Sequence, residues 1–213
     1  MAERRNLWYF ADPMCSWCWG FAPVISAIAD SYADTLQLML VMGGLRPGNT
    51  QPTTPQFRAE ILHHWQEVQR RSGQPFKFEG ALPDGFVYDT EPACRAVVTM
   101  LDLNGAAAFS YFKSIQSAFY AEGRDITQSQ TLGKLAERQG LETDRFLERF
   151  GSIEIGQMTQ SHFRQTAEIG VRGFPTAILQ DGERFELLTY GYRPLEELTP
   201  ILDAWLSKNA VPG

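Results

Sequence analysis

Two cysteines separated by two residues are the part of this 213-residue chain best suited to chemistry. Cys15 and Cys18 enclose Ser16 and Trp17 just after a short apolar run. At the N-terminus of a helix this spacing brings the two sulfurs together, and the helix dipole stabilises a thiolate on the first one. Cys15 is therefore the candidate nucleophile, and Cys18 is the thiol that would resolve a mixed disulfide. The pattern indicates thiol–disulfide exchange.

A zinc site is the main alternative for two closely spaced cysteines. A structural zinc ion normally takes four ligands, and the chain has no second Cys-x-x-Cys motif. The other candidate ligands, Cys94, His63, His64 and His162, are scattered rather than placed at ligand spacing, and Cys94 is expected to be a buried structural thiol. No glycine-rich phosphate loop follows a strand. We therefore expect no metal, flavin or nucleotide cofactor.

The elements that position the cysteines are predicted from the apolar pattern. Residues Asn6–Ala11 and Leu36–Met42 form nearly continuous apolar runs, which are typical of buried strands. Between them, residues from Cys15 to about Tyr32 have helical spacing with Pro23 inside. Two such strands joined by a helix predict a parallel β-α-β unit at the start of the chain.

The rest of the chain is predicted to be helical until strands return near its end. Caps at Thr54 and Thr90, each followed by a first-turn proline, predict two helices. The final part is expected to be a β-hairpin turning at Asp181–Gly182 and followed by a helix. The remaining predicted ranges are helices at 106–120, 130–139, 143–150, 153–169 and 194–207 and strands at 176–180 and 185–190.

A second motif, Gly-Phe-Pro-Thr at residues 173–176, stands directly before the first returning strand. A proline that enters a strand cannot donate to the ladder, so its presence needs a structural reason. A cis Phe174–Pro175 bond facing the dithiol would supply one, although only about 5% of X–Pro bonds are cis. Such a loop would present its backbone to an incoming peptide and keep other ligands away from the sulfurs.

Together these features resemble a known family. A strand, a Cys-x-x-Cys motif, a helix containing Pro23 and a late proline before a hairpin look like a thioredoxin fold, and the long helical block is similar to the DsbA branch. The run Phe-Ala-Asp-Pro-Met-Cys-Ser-Trp-Cys-Trp-Gly-Phe at residues 10–21 resembles the cytosolic FrnE-like group of predicted protein-disulfide isomerases. The resemblance implies Cys15 as attacking thiol, Cys18 as resolving thiol and Pro175 as the cis-proline beside them.

The fold class that follows is α/β, with a thioredoxin-like core of β-α-β and β-β-α units and a DsbA-like helical insertion. We expect the core to comprise residues 1–45 and 171–213, and the insertion to comprise residues 46–170. Ser16, Trp17 and Phe174, the residue before the proline, are the candidate substrate-binding residues. The resemblance implies reduction, oxidation or isomerisation of disulfides, which share the same exchange steps.

Two departures from the family pattern bear on whether the protein oxidises or reduces its substrate, and on which group accepts the proton of Cys18. Secreted DsbA enzymes carry a histidine between the cysteines, whereas Ser16 and Trp17 are not cationic, which predicts a less stabilised thiolate and a less oxidising couple. A reductase or isomerase is therefore favoured. The acid that lies beneath the thiols in thioredoxins has no counterpart in the first strand before Asp12, which is interpreted as a turn residue. The acceptor of the Cys18 proton is left undefined.

The composition of the chain limits the classes of partner that we expect it to bind. The 25 acidic residues against 19 lysines and arginines give a formal charge of −6 without a basic patch, so nucleic acid is not an expected partner. No segment approaches the roughly 20 apolar residues of a membrane span, and membrane association is not expected. Three cysteines, an odd number, favour a reducing compartment and hence the cytoplasm. The expected partners are a disulfide-containing protein or a small thiol, and an unidentified thiol reductant.

Two other classes of function fit parts of the sequence. A kappa-class glutathione transferase or a 2-hydroxychromene-2-carboxylate isomerase shares the DsbA-like layout, but activates glutathione with a hydroxyl where Cys15 stands. A noncatalytic client-binding domain would use the helical block and the indole of Trp17, and its cysteines would be incidental.

Overall fold

The structure, a computed structural model, describes residues 5–208. The chain forms four strands and eight α-helices within that range, and a short 3₁₀ turn (Gly105–Ala107) precedes the fourth helix. The elements are β1 (Arg5–Ala11), α1 (Ser16–Ser31), β2 (Leu36–Met42), α2 (Pro55–Ser72), α3 (Glu91–Asn104), α4 (Ala108–Tyr120), α5 (Ser129–Glu137), α6 (Thr143–Phe150), α7 (Ile153–Glu168), β3 (Thr176–Asp181), β4 (Arg184–Tyr190) and α8 (Leu195–Lys208).

The strands form one mixed sheet in the order β2-β1-β3-β4. Strand β1 pairs in parallel with β2, where Tyr9 lies opposite Leu40, and antiparallel with β3, where Tyr9 lies opposite Ala177. A strand with neighbours on both sides is apolar along most of its length because helices cover its faces. The predicted α/β class, with β-α-β and β-β-α units, is confirmed.

Six helices lie between β2 and β3 in the chain. Helix α3 contacts four of them, α4 to α7, and both α3 and α7 also contact β2. Helix α1, which follows the first cysteine, contacts α2 and α4 as well as α8. The cysteine-bearing helix therefore lies between the helical block and the C-terminal helix. The division into a core and an insertion at residues 45 and 171 stays a prediction.

An aromatic cluster fixes α1 to the helical block. The ring of Trp19 stacks on Tyr120 at 6.2 Å, and its indole N–H donates to the carbonyl of Pro75 at 3.0 Å. Tyr120 in turn packs edge-on against Trp65 at 5.1 Å and Phe119 at 4.9 Å. Each such aromatic pair contributes about 0.5–1.5 kcal/mol beyond the area that it buries. The first turns of α1 are therefore held rigidly.

Several predicted boundaries differ from the structure by one or two residues, and two of these differences have a clear local reason. Asp181 pairs with Arg184, so the two loop residues of the hairpin are Gly182 and Glu183, and the predicted turn at Asp181–Gly182 is one residue too early. Asp181 stays in the strand, where it forms an ion pair with Arg5 at 3.2 Å, and Gly182 takes the positive φ of 57°. The helix predicted at 106–120 instead begins at residue 108, after the 3₁₀ turn.

No helix within residues 5–208 is both long enough and apolar enough to cross a bilayer.

Candidate active site

Cys15 lies at the junction between the loop after β1 and the start of α1. Its backbone is extended, and its carbonyl accepts the first helical hydrogen bond, from the Trp19 N–H at 3.1 Å, which makes it the N-cap residue. Its own N–H donates to the carbonyl of Asp12 at 3.1 Å, which closes the loop. The first amides of a helix have no partners within it, so the positive end of α1 faces Cys15.

Cys18, almost one turn further along α1, is a fully buried free thiol. Burial raises the pKa of Cys18 well above its ordinary value, and a hydrogen bond to Cys15 together with the charge of that residue adds to the effect. A hydrogen bond from the backbone of Asp12 acts in the opposite direction. Cys18 is therefore held as a protonated thiol beside Cys15, which itself is 7% exposed.

The loop before β3 lies against the sulfur of Cys15. The Phe174–Pro175 peptide bond is cis, and Cys15 Sγ is 3.5 Å from the carbonyl oxygen of Phe174. The carbonyl of Pro175 accepts a hydrogen bond from the Gly191 N–H at 2.7 Å, which ties the loop to the end of β4. The ring of Phe174 packs so closely on Gly43 that a Cβ there would lie 2.0 Å from the ring. The loop beside the Cys15 sulfur is thus held by contacts with Gly191 and Gly43.

Asp12 is interpreted from the sequence as a turn residue. In the structure its carboxyl group also connects three segments of the chain. The carboxyl group is fully buried and accepts hydrogen bonds from the N–H of Met14 at 2.8 Å, the N–H of Leu45 at 2.7 Å and the thiol of Cys94 at 3.3 Å. Burial raises the pKa of Asp12, and the hydrogen bonds from Leu45 and Met14 oppose that shift. The side chain joins the cysteine loop to the loop after β2 and to α3.

Cys94 is fully buried, as expected for a structural thiol. Burial raises the pKa of Cys94 well above its ordinary value, and the neighbouring charge of Asp12 adds to this. It is a free thiol, like Cys15 and Cys18.

Tyr9, in the middle of β1, is a residue near the thiols that sequence reasoning did not single out. Its ring is fully buried, with Phe21 at 6.0 Å and Phe112 at 6.1 Å between ring centres. Its hydroxyl has no hydrogen-bond partner among residues 5–208. Burial raises the pKa of Tyr9 well above its ordinary value, followed by the charges of Cys18 and Cys15 and by the closeness of the hydroxyl to the Cys18 thiol. The sequence feature that could have identified Tyr9 is a side-chain hydroxyl within an otherwise apolar strand.

A recess of about 400 Å³ opens beside Cys15. Ser16, Trp17 and Phe174, the three residues predicted to contact substrate, all line it. Trp17 is half-buried, with the ring of Tyr192 at 5.9 Å. The recess is therefore bordered by the residues between the cysteines on one side and by the loop before β3 on the other.

The far wall of this recess comes from α2 and the loop that precedes it. Arg46 places its guanidinium 4.4 Å from the centre of the Phe57 ring, and Glu60 and His64 complete the polar lining. A larger hollow of about 560 Å³ at residues 137–144 contains none of these side chains. Across residues 5–208, no three His, Cys, Asp or Glu side chains cluster in a way that could hold a metal ion.

Solved structures of other proteins share this arrangement of elements. A candidate protein disulfide isomerase from Nitrosomonas europaea is 46% identical, with a TM-score of 0.92 over 98% of this chain and 100% of that chain. The cytosolic disulfide reductase DsbM from Pseudomonas aeruginosa is 28% identical, with a TM-score of 0.79 over 95% of this chain and 99% of that chain, and it has also been solved with GSH. A 2-hydroxychromene-2-carboxylate isomerase is similar in fold alone, at 16% identity and a TM-score of 0.70 over 96% of this chain and 98% of that chain.

Among curated proteins, the chain is 21% identical over 178 residues to the ClpXP adapter protein SpxH of Halalkalibacterium halodurans. The match covers 81% of this chain and 58% of that protein, so the chain spans less than two thirds of its length. The family model of the DSBA-like thioredoxin domain matches residues 7–202. That match takes in most of β1, both cysteines, the six helices between β2 and β3 and the proline loop, and the chain therefore belongs to the DsbA-like thioredoxin domain family.

Proposed function

We propose that this chain is a thiol–disulfide oxidoreductase in which Cys15 attacks, Cys18 resolves and Pro175 shapes the loop beside them. The observation that carries the proposal is the position of Cys15 at the N-terminus of α1, with the buried thiol of Cys18 beside it and the carbonyl of Phe174 at 3.5 Å. The fold is that of thiol–disulfide oxidoreductases in general, which supports the class of reaction.

The proposed reaction has two exchange steps. The Cys15 thiolate attacks one sulfur of a substrate disulfide, a Cys15–substrate disulfide forms, and the other substrate sulfur leaves as a thiolate. Cys18 then attacks the sulfur of Cys15, the Cys15–Cys18 disulfide forms, and the second substrate sulfur leaves. The proton of Cys18 ends on a departing thiolate. Two electrons pass to the substrate, and an external thiol must reduce the enzyme again.

Reduction or isomerisation in the cytoplasm is the direction that we propose. Neither residue between the cysteines carries a positive charge, so the reduced form lacks the extra stabilisation that a strong oxidant needs. The odd number of cysteines favours a reducing compartment. The similar protein DsbM is described as a cytosolic disulfide reductase, which supports the same direction.

The recess beside Cys15 favours small disulfides as one class of substrate. A volume of about 400 Å³ falls within the range of small-molecule sites. Arg46 supplies a guanidinium at its wall that could pair with a substrate carboxylate. The GSH in one structure of DsbM supports a glutathione disulfide as the first compound to try. A protein disulfide would instead lie across Trp17 and the Phe174 loop.

Reduction of insulin disulfides by dithiothreitol tests the proposal. We expect the wild-type protein to accelerate the reaction, Cys15→Ser to abolish the acceleration, and Cys18→Ser to accumulate a mixed disulfide detectable by mass spectrometry. If all three proteins behave like buffer, the redox function is wrong. Purified wild-type protein should then be assayed for glutathione conjugation and for stoichiometric zinc.

The role of Arg46 is tested with glutathione disulfide as substrate. Arg46→Ala should raise KM several-fold while kcat changes little, because the arginine would contribute binding that is equal in the ground and transition states. Arg70→Ala, which removes an exposed arginine of α2 outside the recess, is the matched control and should leave KM unchanged. Equal values for both variants would rule out a carboxylate contact at Arg46.

The other two classes of function are distinguished by the same variants. An enzyme of the 2-hydroxychromene-2-carboxylate isomerase type would not need Cys18, so Cys18→Ser would keep full activity on its substrate. A noncatalytic client-binding role, the kind suggested by the adapter name of SpxH, would survive Cys15→Ser with client affinity unchanged.

A further inference from the structure

The buried hydroxyl of Tyr9 is a polar group for which the fold provides no ordinary partner. Burying a hydroxyl without a hydrogen bond destabilises a protein, whereas a phenylalanine here would keep the ring and avoid that penalty. The ring is fixed by Phe21 and Phe112, and by the pairing of β1 with both of its neighbours. The ring is therefore held in place, with its hydroxyl near the thiol of Cys18.

Building on the proposed function, we propose that the Tyr9 hydroxyl donates a hydrogen bond to the sulfur of Cys18 as that sulfur becomes a thiolate and attacks the mixed disulfide. Tyr9 would thus act on the second exchange step and leave the first step alone. The need for a further donor follows from position, because a thiolate formed at the fully buried Cys18 has no access to water and is supported only by the backbone of Asp12 among the donors described above.

Tyr9 acts as a donor rather than as a base. Burial and the nearby thiols raise the pKa of Tyr9 well above its ordinary value, so the phenol keeps its proton at every pH at which the protein works. The proton of Cys18 passes to the departing thiolate instead. The ionisable groups that act on Cys18 are Cys15 at the start of α1 and Asp12 from the preceding loop, and Tyr9 from β1 lies near the same thiol. Of these three, Tyr9 alone offers a hydroxyl donor.

The two steps can be followed separately with 5,5′-dithiobis(2-nitrobenzoate). Attack by Cys15 forms a Cys15–thionitrobenzoate disulfide and releases one coloured thiolate, and attack by Cys18 forms the Cys15–Cys18 disulfide and releases the second thiolate with the Cys18 proton. Stopped-flow absorbance at 412 nm should show two phases. We expect Tyr9→Phe to leave the first phase unchanged and to slow the second about threefold, because a rise of one unit in the pKa of Cys18 lowers its thiolate fraction tenfold while the remaining thiolate is a stronger nucleophile.

A matched control comes from another buried tyrosine. Tyr111→Phe also removes one buried hydroxyl, which donates to the carbonyl of Leu132 at 2.8 Å in the helical block, and it should leave both phases unchanged. Circular dichroism and thermal unfolding of both variants establish that each is folded. An unfolded Tyr9→Phe protein would itself contradict the proposal, since the ring is retained.

A second readout isolates Cys18 from the exchange reaction. In Cys15→Ser protein, the rate of iodoacetamide alkylation at Cys18, followed by mass spectrometry against pH, should move to higher pH by about one unit when Tyr9→Phe is added. An unchanged second phase and an unchanged alkylation profile would overturn the role of Tyr9. Failure of the proposed function would instead appear as a first phase no faster than that of a free thiol.

Discussion

The sulfur of Cys15 lies 3.5 Å from the carbonyl oxygen of Phe174, a residue 159 positions further along the chain. A thiol can donate to that oxygen, whereas a thiolate cannot, so this hydrogen bond depends on the protonation state of Cys15. The position of Phe174 depends in turn on Gly43, on which its ring rests. A substitution at Gly43, directly after β2, should therefore shift the Phe174 ring and with it the carbonyl that contacts Cys15.

Gly43→Ala should slow formation of the mixed disulfide and destabilise the protein. A Cβ at this position would lie 2.0 Å from the Phe174 ring, so the ring and the loop behind it must shift. Overpacking of this kind costs about 1–3 kcal/mol in the free energy of unfolding. Urea denaturation measures the stability, and the first phase of the 5,5′-dithiobis(2-nitrobenzoate) reaction measures the attack by Cys15.

Gly156→Ala is the control for the same chemical change. It lies inside α7, and a Cβ there would meet no atom within 4 Å. Alanine should stabilise the helix by up to about 1 kcal/mol, and the first phase should not change. If Gly43→Ala and Gly156→Ala gave the same result, the contact between Gly43 and Phe174 would have no part in positioning the loop.

Cys94→Ala should reduce stability without abolishing redox activity. The variant removes the thiol that donates to the buried carboxyl of Asp12, and a buried acceptor that loses a donor costs about 1–3 kcal/mol. Cys94→Ser keeps a donor and should cost less. Urea denaturation and insulin reduction measured on both variants check this. Loss of activity in the serine variant would identify Cys94 as a third redox thiol.

Stability should fall as the pH drops below about 6.5 because of His162. Burial lowers the pKa of His162, and its Nδ1 accepts a hydrogen bond from the Met42 N–H at 3.2 Å, which requires the neutral ring. The unfolded chain therefore binds a proton at a pH where the folded protein does not. The stability that neutral His162 contributes is fully present above its ordinary pKa of 6.5, and it is lost as the pH falls through the lower pKa of His162 in the folded protein.

The measurement is the free energy of unfolding at pH 7.5 and at pH 5.5. Wild-type protein should lose more stability over this interval than His162→Gln, whose side-chain oxygen can accept the same N–H at either pH. His63→Gln, a change at an exposed position on α2, should follow the wild type. A wild-type loss no greater than that of His162→Gln would show that the histidine contributes nothing to the pH dependence.

The sequence predicts the parts of the fold and of the site that depend on local order. The first strand, the cysteines and the helix α1 are consecutive in the chain, so apolar spacing and turn residues are enough to predict them. The environment of Cys18 is different, because it depends on which face of β1 the helix covers. Tyr9 looks like one more apolar position until the sheet is assembled.

Asp12 shows that the long-range contacts of a loop residue also cannot be predicted from local sequence. Its partners Leu45 and Cys94 lie 33 and 82 positions away, and no local pattern connects them. A turn is the reasonable interpretation of an aspartate before a proline. The buried carboxyl emerges only when α3 packs beneath the cysteine loop.

The place of β1 in the sheet also affects how the protein is made. Its neighbour β2 follows after the single helix α1, but β3, which brings the proline loop, comes only after the six further helices α2 to α7. Because a ribosome delivers the chain from its N-terminus, the dithiol emerges long before the loop that will face it. A half-made chain carries both cysteines but only one side of the proposed site. If the proposed function holds, catalytic competence is therefore acquired late in translation, when β3 pairs with β1.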